Sequence, residues 1–227
     1  MPGILYIVAS PIGNLEDITQ RAVNILKKVN FILCEDTRVT KKLLEYYSIG
    51  KPLISYHHHS KIEKINYIIS LLKEGKNLAL LSDAGTPGIS DPGNKLIEKI
   101  VEVFGKDIKI IPIPGPSAIC AIASVAGMKM EKFLFLGFLP KKKKRKSLFA
   151  KIAFSNLPII FFESSHRILK SLEELKKINN NLKVVVGKEL TKYFEKIYRG
   201  KINQVLEELK KDKVKGEFVI IIKNDKR

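Results

Sequence analysis

The sequence LLSDAGTPGISDPG, Leu80–Gly93, decides how this chain is read. The apolar run Leu78–Leu81 leads into three glycines (Gly85, Gly88, Gly93), two prolines (Pro87, Pro92) and two aspartates (Asp83, Asp91). A short apolar run that ends in turn residues reads as a buried strand followed by a long loop. At the carboxyl edge of an open α/β sheet, such a loop is where small ligands bind. Its glycines admit close backbone approach, and its prolines stiffen it. The plainer reading is an ordinary strand-to-helix connection, but few connections gather so many special residues.

Working outward, the first half alternates strand and helix. Strands are expected at Ile4–Ser10, Phe31–Glu35, Leu53–Tyr56, Leu78–Ser82 and Ile108–Ile113. Helices are expected at Leu15–Val29, Thr37–Tyr47, Ile62–Lys73 and Asn94–Phe104. That pattern implies a mostly parallel sheet covered on both faces. IPGPSAICAIASVAG then opens a helix of small residues at Ser117–Gly127. The second half places strands at Phe133–Phe138, Pro158–Phe162, Leu182–Gly187, Tyr193–Tyr198 and Glu217–Ile222. Its helices are expected from Ser164 or Ser165, a plausible cap, to about Lys177, and at Ile202–Lys211. The strands near 182–198 suggest an antiparallel element. Two domains are therefore expected, 1–117 and 118–227: an N-terminal α/β domain with a mostly parallel sheet, and a basic C-terminal α/β domain with a mixed sheet.

Composition bounds the class. The 227 residues, 45% of them hydrophobic, suit a soluble globular protein with one or two cores. No apolar stretch approaches the ~20 residues of a membrane-spanning helix. The amino terminus, MPGILYIVASPIGN, lacks a basic leader and reads directly as a strand, so a cytoplasmic protein is expected. Cys34 and Cys120 lie in apolar runs and are expected to be buried, reduced thiols.

The net charge of +18 is unevenly placed. Residues 1–117 carry 15 Lys/Arg against 12 Asp/Glu, and residues 118–227 carry 26 against 11. A general preference for lysine would load both halves alike, so the second half reads as a footprint for a polyanion. Its densest part, KKKKRK (Lys141–Lys146), is either a solvated loop or a contact to a phosphate backbone.

Several chemistries are disfavoured. The G-x-G-x-x-G fingerprint is absent after the first strand, although Glu35–Asp36 stands where a ribose-binding carboxylate would be. No G-x-x-x-x-G-K-[ST] loop occurs. His57, His58 and His59 are consecutive, so at most His57 and His59 converge from a strand, and no metal site is expected. A polar strand end that meets substrate or the partner domain is the better reading of these histidines. In CEDTR, Asp36 either caps the following helix with Arg38 paired to it, or the acids and Arg38 face substrate. Lys188 and Glu189, in GKELTKYFEKIYRG, either face a cleft or are solvated cross-strand partners.

Taken in order, VASPIGNLEDIT, CEDTR, SYHHH, LLSDAGTPGISDPG, PGPSA, FLGFLPKK, FFESSHR and KELTKYFE span nearly the whole chain. Together they resemble the rRNA-modifying members of the tetrapyrrole methylase family. The resemblance implies two α/β domains with S-adenosylmethionine bound in the cleft between them, and a homodimer. It also implies 2′-O-methylation of a cytidine ribose in 16S rRNA of the small ribosomal subunit. Carried across, the cofactor site comprises Asp83, Gly85, Thr86, Pro87, Ile89, Ser117 and Ala118, with Pro11 and Gly13 nearby and Phe162 from the second domain. Catalytic candidates are Glu35, Asp36, Arg38, Lys188 and Glu189, with Glu163 a further possible base. One departure is visible: relatives tend to show H-x-H-N, and this chain has Ser60 in the last place. A carbon methyltransferase acting on a tetrapyrrole and a non-catalytic RNA-binding module remain as alternatives, because a fold does not fix its substrate. The basic second half favours RNA, and the glycine–proline loop favours catalysis.

Overall fold

The computed structural model describes residues 1–225. The chain divides into two compact units, Met1–Ser117 and the residues from Ala118 onward.

The first unit is built from β1 (Ile4–Val8), α1 (Gln20–Lys28), β2 (Phe31–Cys34), α2 (Thr37–Tyr46) and β3 (Leu53–Ser55). It continues through α3 (Ile62–Lys73), β4 (Leu78–Leu80), α4 (Asn94–Phe104) and β5 (Lys109–Ile113). The strands form one parallel sheet in the order β3-β2-β4-β1-β5. The period of two along a strand sends alternate residues to opposite faces. Leu78 and Leu80 therefore pack with Ile68 and Leu72 of α3 and Leu96 and Ile100 of α4. Ala79 and Leu81 join Leu26 of α1 and Leu43 of α2 on the other side. A strand covered on both faces has no polar face, which is why Leu78–Leu81 is an unbroken apolar run.

The helix expected over Leu15–Val29 is two pieces. A short 3-10 turn covers Leu15–Asp17, and Ile18 and Thr19 are extended. The Thr19 side chain then accepts a hydrogen bond from Ala22 N at 3.1 Å and caps α1.

The second unit holds α5 (Ala118–Ser124), β6 (Leu134–Phe138), α6 (Arg145–Ala153), β7 (Ile159–Ser164) and α7 (Ile168–Ile178). After these come β8 (Leu182–Lys188), β9 (Lys196–Lys201), α8 (Ile202–Lys211) and β10 (Glu217–Asn224). Its sheet is mixed, in the order β6-β7-β10-β8-β9, with only the β6–β7 pair parallel. Phe218, Ile220 and Ile222 of β10 share a core with Phe149, Leu172 and Leu206 of α6, α7 and α8. On the opposite face α5 packs on β10, and a side chain at Gly187 would meet Ile122 at 2.8 Å.

Several expectations are corrected here. The helix of small residues stops at Ser124. β7 runs on through Ser164, so α7 begins at Ile168 with Arg167, not a serine, at its cap position. Tyr193 and Phe194 lie outside β9, which starts at Lys196. The run Lys141–Lys146 is only partly loop: α6 begins at Arg145, after Lys144 in a left-handed conformation with φ of 62°. Cys34 is buried as expected, but Cys120 on α5 is exposed. No helix among the described residues is long and apolar enough to cross a membrane.

Candidate functional site

A parallel sheet delivers the carboxyl ends of all its strands to one edge, so the loops after β1, β2, β3, β4 and β5 gather there. The β4 loop, Leu81–Gly93, stitches them together. Ser10 N donates to Gly85 O at 2.9 Å and Gly85 N to Ser10 O at 3.1 Å, tying in the β1 loop. Ser10 Oγ donates to Ser82 O at 2.9 Å. Thr86 Oγ1 donates to Pro116 O at 3.3 Å, tying in the β5 loop. Asp36 N donates to Asp83 Oδ1 at 3.1 Å, tying in the β2 loop. Gly85 has φ of +80°, a left-handed conformation that favours glycine.

Within this frame the expected cofactor residues of the first unit are neighbours along one loop system. Pro11, Gly85 and Pro87 are buried, Thr86 and Ser117 are half-buried, and Gly13, Asp83 and Ile89 are exposed. Ala118, the first residue of α5, is half-buried. Ile89 offers an apolar side chain and Asp83 a carboxylate on a backbone that is already fixed.

Beside the β4 loop lies an open depression of about 590 Å³ lined by Glu35, Asp36, Arg38, Asp83 and His57–His59. Asp36 is the N-cap of α2: its Oδ1 accepts from Arg38 N at 2.8 Å, and its carboxylate takes Arg38 Nη2 at 2.6 Å. The Arg38 side-chain hydrogen bond, followed by its backbone N–H, holds the Asp36 carboxyl down at about 2. The capping reading of CEDTR is thus present, while the Arg38 side chain remains 87% exposed in the same depression. Ser60 closes the histidine turn: its Oγ accepts from His57 N at 2.9 Å, and its N–H donates to His57 O at 2.8 Å.

Asp91 is a residue of the β4 loop that the motifs do not single out as part of the site. Burial, then the nearby Glu35 and Asp83 carboxylates, push its carboxyl up to about 6, against smaller opposing effects of His58 and Ser82. Its place in the glycine–proline loop is visible in the sequence; its burial among other acids is not.

The polar residues of the second unit are held differently. Glu163 is fully buried, ion-paired to Arg167 at 2.6 Å and accepting from Ser171 Oγ at 2.7 Å and Ser164 N at 3.0 Å. Arg145 extends this network to Ser171 Oγ at 2.9 Å, Glu174 at 2.8 Å and Pro140 O at 3.1 Å. Lys188 is buried, and its Nζ donates to Lys213 O at 2.7 Å and to Asp212 at 3.1 Å. Asp212 also accepts from Tyr198 OH; that bond, then Lys188, keeps its carboxyl far below the usual range. Glu189 accepts from Glu217 N at 2.7 Å and Lys192 Nζ at 3.0 Å. Burial alone would raise its pKa, but these partners together hold it below its ordinary value. Phe162 is half-buried on β7, with its ring 5.1 Å from Phe135 and 5.4 Å from Phe138. Lys188 and Glu189 are thus both tied to neighbours within their own unit.

Comparison with known proteins places this arrangement. The family model described as tetrapyrrole (corrin/porphyrin) methylases matches residues 4–206. A protein of Hydrogenobaculum sp. (strain Y04AAS1), ribosomal RNA small subunit methyltransferase I, is 46% identical over 225 residues, covering 97% of this chain and 96% of its own. The protein of the same name from Thermotoga maritima is 42% identical over 220 residues, covering 97% and 98%. Among solved structures, the methyltransferase CobJ superposes with a TM-score of 0.70 at 16% identity, covering 99% of this chain and 96% of its own. A cobalt precorrin-4 methyltransferase gives 0.67 at 19%, covering 96% and 93%. At such identities these two structures speak for the fold alone.

Proposed function

The chain belongs to the tetrapyrrole (corrin/porphyrin) methylase family, and on that premise we propose that it is an S-adenosylmethionine-dependent methyltransferase of small-subunit rRNA. The finer reading is transfer to the 2′-oxygen of a cytidine ribose in 16S rRNA. Likeness over nearly the full length of the small-subunit rRNA methyltransferases carries the coarser reading, and the finer one rests on the resemblance of the sequence motifs. The lysine-rich second half supports it, since a small macrocycle needs no such surplus of cations.

The β4 loop suits the cofactor chemically. Fixed backbone at Gly85 and Thr86, the exposed Ile89 and the Asp83 carboxylate match a ligand with an apolar purine face and polar hydroxyl and amine groups. We assign Asp83, Gly85, Thr86, Pro87, Ile89, Ser117 and Ala118 to its binding, with Pro11 and Gly13 shaping the β1 loop. Phe162 is kept as an apolar contributor. When bound, S-adenosylmethionine would supply a methyl group on a sulfonium, whose sulfur departs as a neutral thioether without acid assistance.

The chain's own task is then to align a hydroxyl and to receive its proton. Asp36, held at about 2 by Arg38, is a weak proton acceptor at neutral pH and a good anchor for an exposed guanidinium. Arg38 is assigned to a phosphate of the RNA. Asp91, at about 6, is matched to accepting a proton near neutrality, with Glu35 beside it. Lys188 and Glu189 are assigned the positioning of their own unit.

The test is nucleoside mass analysis of 16S rRNA after incubation of small subunits with the chain and S-adenosylmethionine. The expected product is 2′-O-methylcytidine. Methylation of a base carbon, or of a tetrapyrrole and no RNA, replaces the reading. We also propose a homodimer in the cytoplasm; light scattering that gives only the 25.7 kDa monomer at micromolar concentrations removes the dimer.

A further inference from the structure

The segment between β8 and β9 carries two aromatic rings that the cofactor and ribose chemistry do not use. Tyr193 is 95% exposed and Phe194 is 71% exposed, with their ring centroids 4.9 Å apart and their planes at 90°. Soluble proteins seldom leave two adjacent large rings in water without a purpose.

The rings stand on a fixed base. Leu190 is buried beneath the turn. Lys192 Nζ bridges Glu189 at 3.0 Å and Glu217 at 2.8 Å, and Lys192 N donates to Glu189 O at 3.0 Å. Glu195 N donates to Lys192 O at 2.9 Å, and Thr191 N donates to Glu195 Oε2 at 2.5 Å. Glu189 and Thr191 both adopt positive φ, which folds the chain tightly enough to push residues 193 and 194 outward. Gly216 has no side chain, and a Cβ there would fall 2.4 Å from the Glu189 carboxylate, so the neighbouring turn makes room for this base.

Charge around the tip selects the occupant. β9 is an edge strand that starts two residues after Phe194, and it carries exposed Lys196, Arg199 and Lys201. Lys196 lies 3.6 Å from the Asp212 carboxylate and Arg199 Nε donates to Val125 O at 2.8 Å, which leaves the Lys201 ammonium and the outer nitrogens of Arg199 to meet phosphate. Protein–protein interface cores are depleted in lysine, whereas single-stranded nucleic acid is bound by aromatic faces beside cations. Perpendicular rings cannot sandwich a base; they offer one face for stacking and the edge of the other as a stop. We propose that Tyr193 and Phe194 form a stacking platform for one unpaired base of a single-stranded RNA segment, with phosphates received by the cations of β9. The proposal rests on the rRNA reading above and names a contact outside the methyl-transfer site.

The chain has no tryptophan, so Tyr193→Trp introduces a single indole reporter that keeps a stacking face. On titration with a short single-stranded RNA oligonucleotide, its fluorescence should be quenched in step with binding. An abasic oligonucleotide of equal length should bind without quenching. In Tyr193→Ala/Phe194→Ala, affinity for the RNA should fall about tenfold to a hundredfold, as for loss of a base–aromatic stack. Its affinity for the abasic strand and for S-adenosylmethionine should match the parent's. Parent-like RNA affinity in the double variant, or an unquenched indole in a formed complex, overturns the platform and leaves the rRNA reading standing. A double variant that turns from dimer to monomer with RNA affinity unchanged assigns the rings to a second copy of the chain. A parent chain that binds neither oligonucleotide overturns the platform, and the rRNA reading then stands or falls on methylation of small subunits.

Discussion

Ionisable side chains at the carboxyl edge of the first unit line an open depression, whereas Glu163 and Lys188 of the second unit are closed in by their partners. Glu35, Arg38, Asp83 and His57–His59 surround the depression beside the β4 loop. Glu163, Arg167, Ser171 and Arg145 form one closed network, and Lys188, Asp212 and Tyr198 form another. As sequence, CEDTR, FFESSHR and GKELTKYFE look equally dense in polar chemistry. Partners such as Asp212 for Lys188, and Arg145 for Ser171, lie well outside these motifs, so the difference between open and closed groups is not written in the motifs themselves.

That contrast is most directly broken at Asp91. Asp91→Asn removes the carboxylate that we propose as the proton acceptor, with little change of shape. Single-turnover methylation should fall by about 10²–10⁴-fold with cofactor affinity kept. The parent's rate should rise with pH through about 6 as this carboxyl ionises, and the variant should lose that limb. A large stability loss with parent-like turnover would place Asp91 among the struts.

Glu163→Ala is the converse. It leaves Arg167 without its carboxylate inside a packed unit, which typically costs about 3–5 kcal/mol. Urea unfolding should show this loss, while the folded fraction keeps its S-adenosylmethionine affinity. A stable variant with no turnover would make Glu163 a site residue after all.

The basic run divides along the same line. Arg145 is tied to Glu174, Ser171 and Pro140, while Lys141–Lys144 are exposed. Neutralising Lys141–Lys144 as glutamines should lower the slope of log affinity for RNA against log salt by about 2–3 units, at roughly 0.7 for each single-strand phosphate that no longer has a lysine beside it. Arg145→Gln should chiefly lower stability. If the lysine variant keeps the parent slope, the run is only a solvated turn.

The smallest effect is a stability slope. Asp91 has its folded pKa raised from 3.8 to about 6, so the folded state holds a proton that the unfolded chain has already released. Stability should therefore fall as pH rises from about 4 to about 6 on account of this group. Asp36, lowered from 3.8 to about 2, acts oppositely: its contribution is present above about 4 and is lost as pH falls towards 2. Melting curves of Asp91→Asn and Asp36→Asn should flatten these two windows separately.

Much of the fold is legible in the sequence because it depends on local pattern. The helices Ile62–Lys73 and Asn94–Phe104 follow from apolar spacing and flanking turn residues. The β4 strand and its loop follow from an apolar run meeting glycines and prolines. Local pattern fails where a residue's role is fixed at a distance. Thr19 stops one turn and caps the next helix, so a single periodic stretch becomes two elements. The lysines before Arg145 hide the start of α6. Neither the burial of Lys188 against Asp212 nor the half-buried place of Asp91 near Glu35 leaves a mark in the neighbouring sequence.

The strand order also sets a schedule for a chain leaving the ribosome. β1 pairs only with β4 and β5, and Leu5 meets Leu78, so the first strand has no partner until the fourth is made. At about 5–20 residues per second that wait is roughly 4–15 s, during which an apolar strand stands without its neighbours. The second unit carries this further. β10 lies between β7 and β8 and is the last strand in chain order. Until it is synthesised, β6–β7 and β8–β9 are two separate ribbons, each with an unpaired inner edge. A product released before Glu217 would expose both edges to other chains, the geometry from which strand-to-strand aggregation begins.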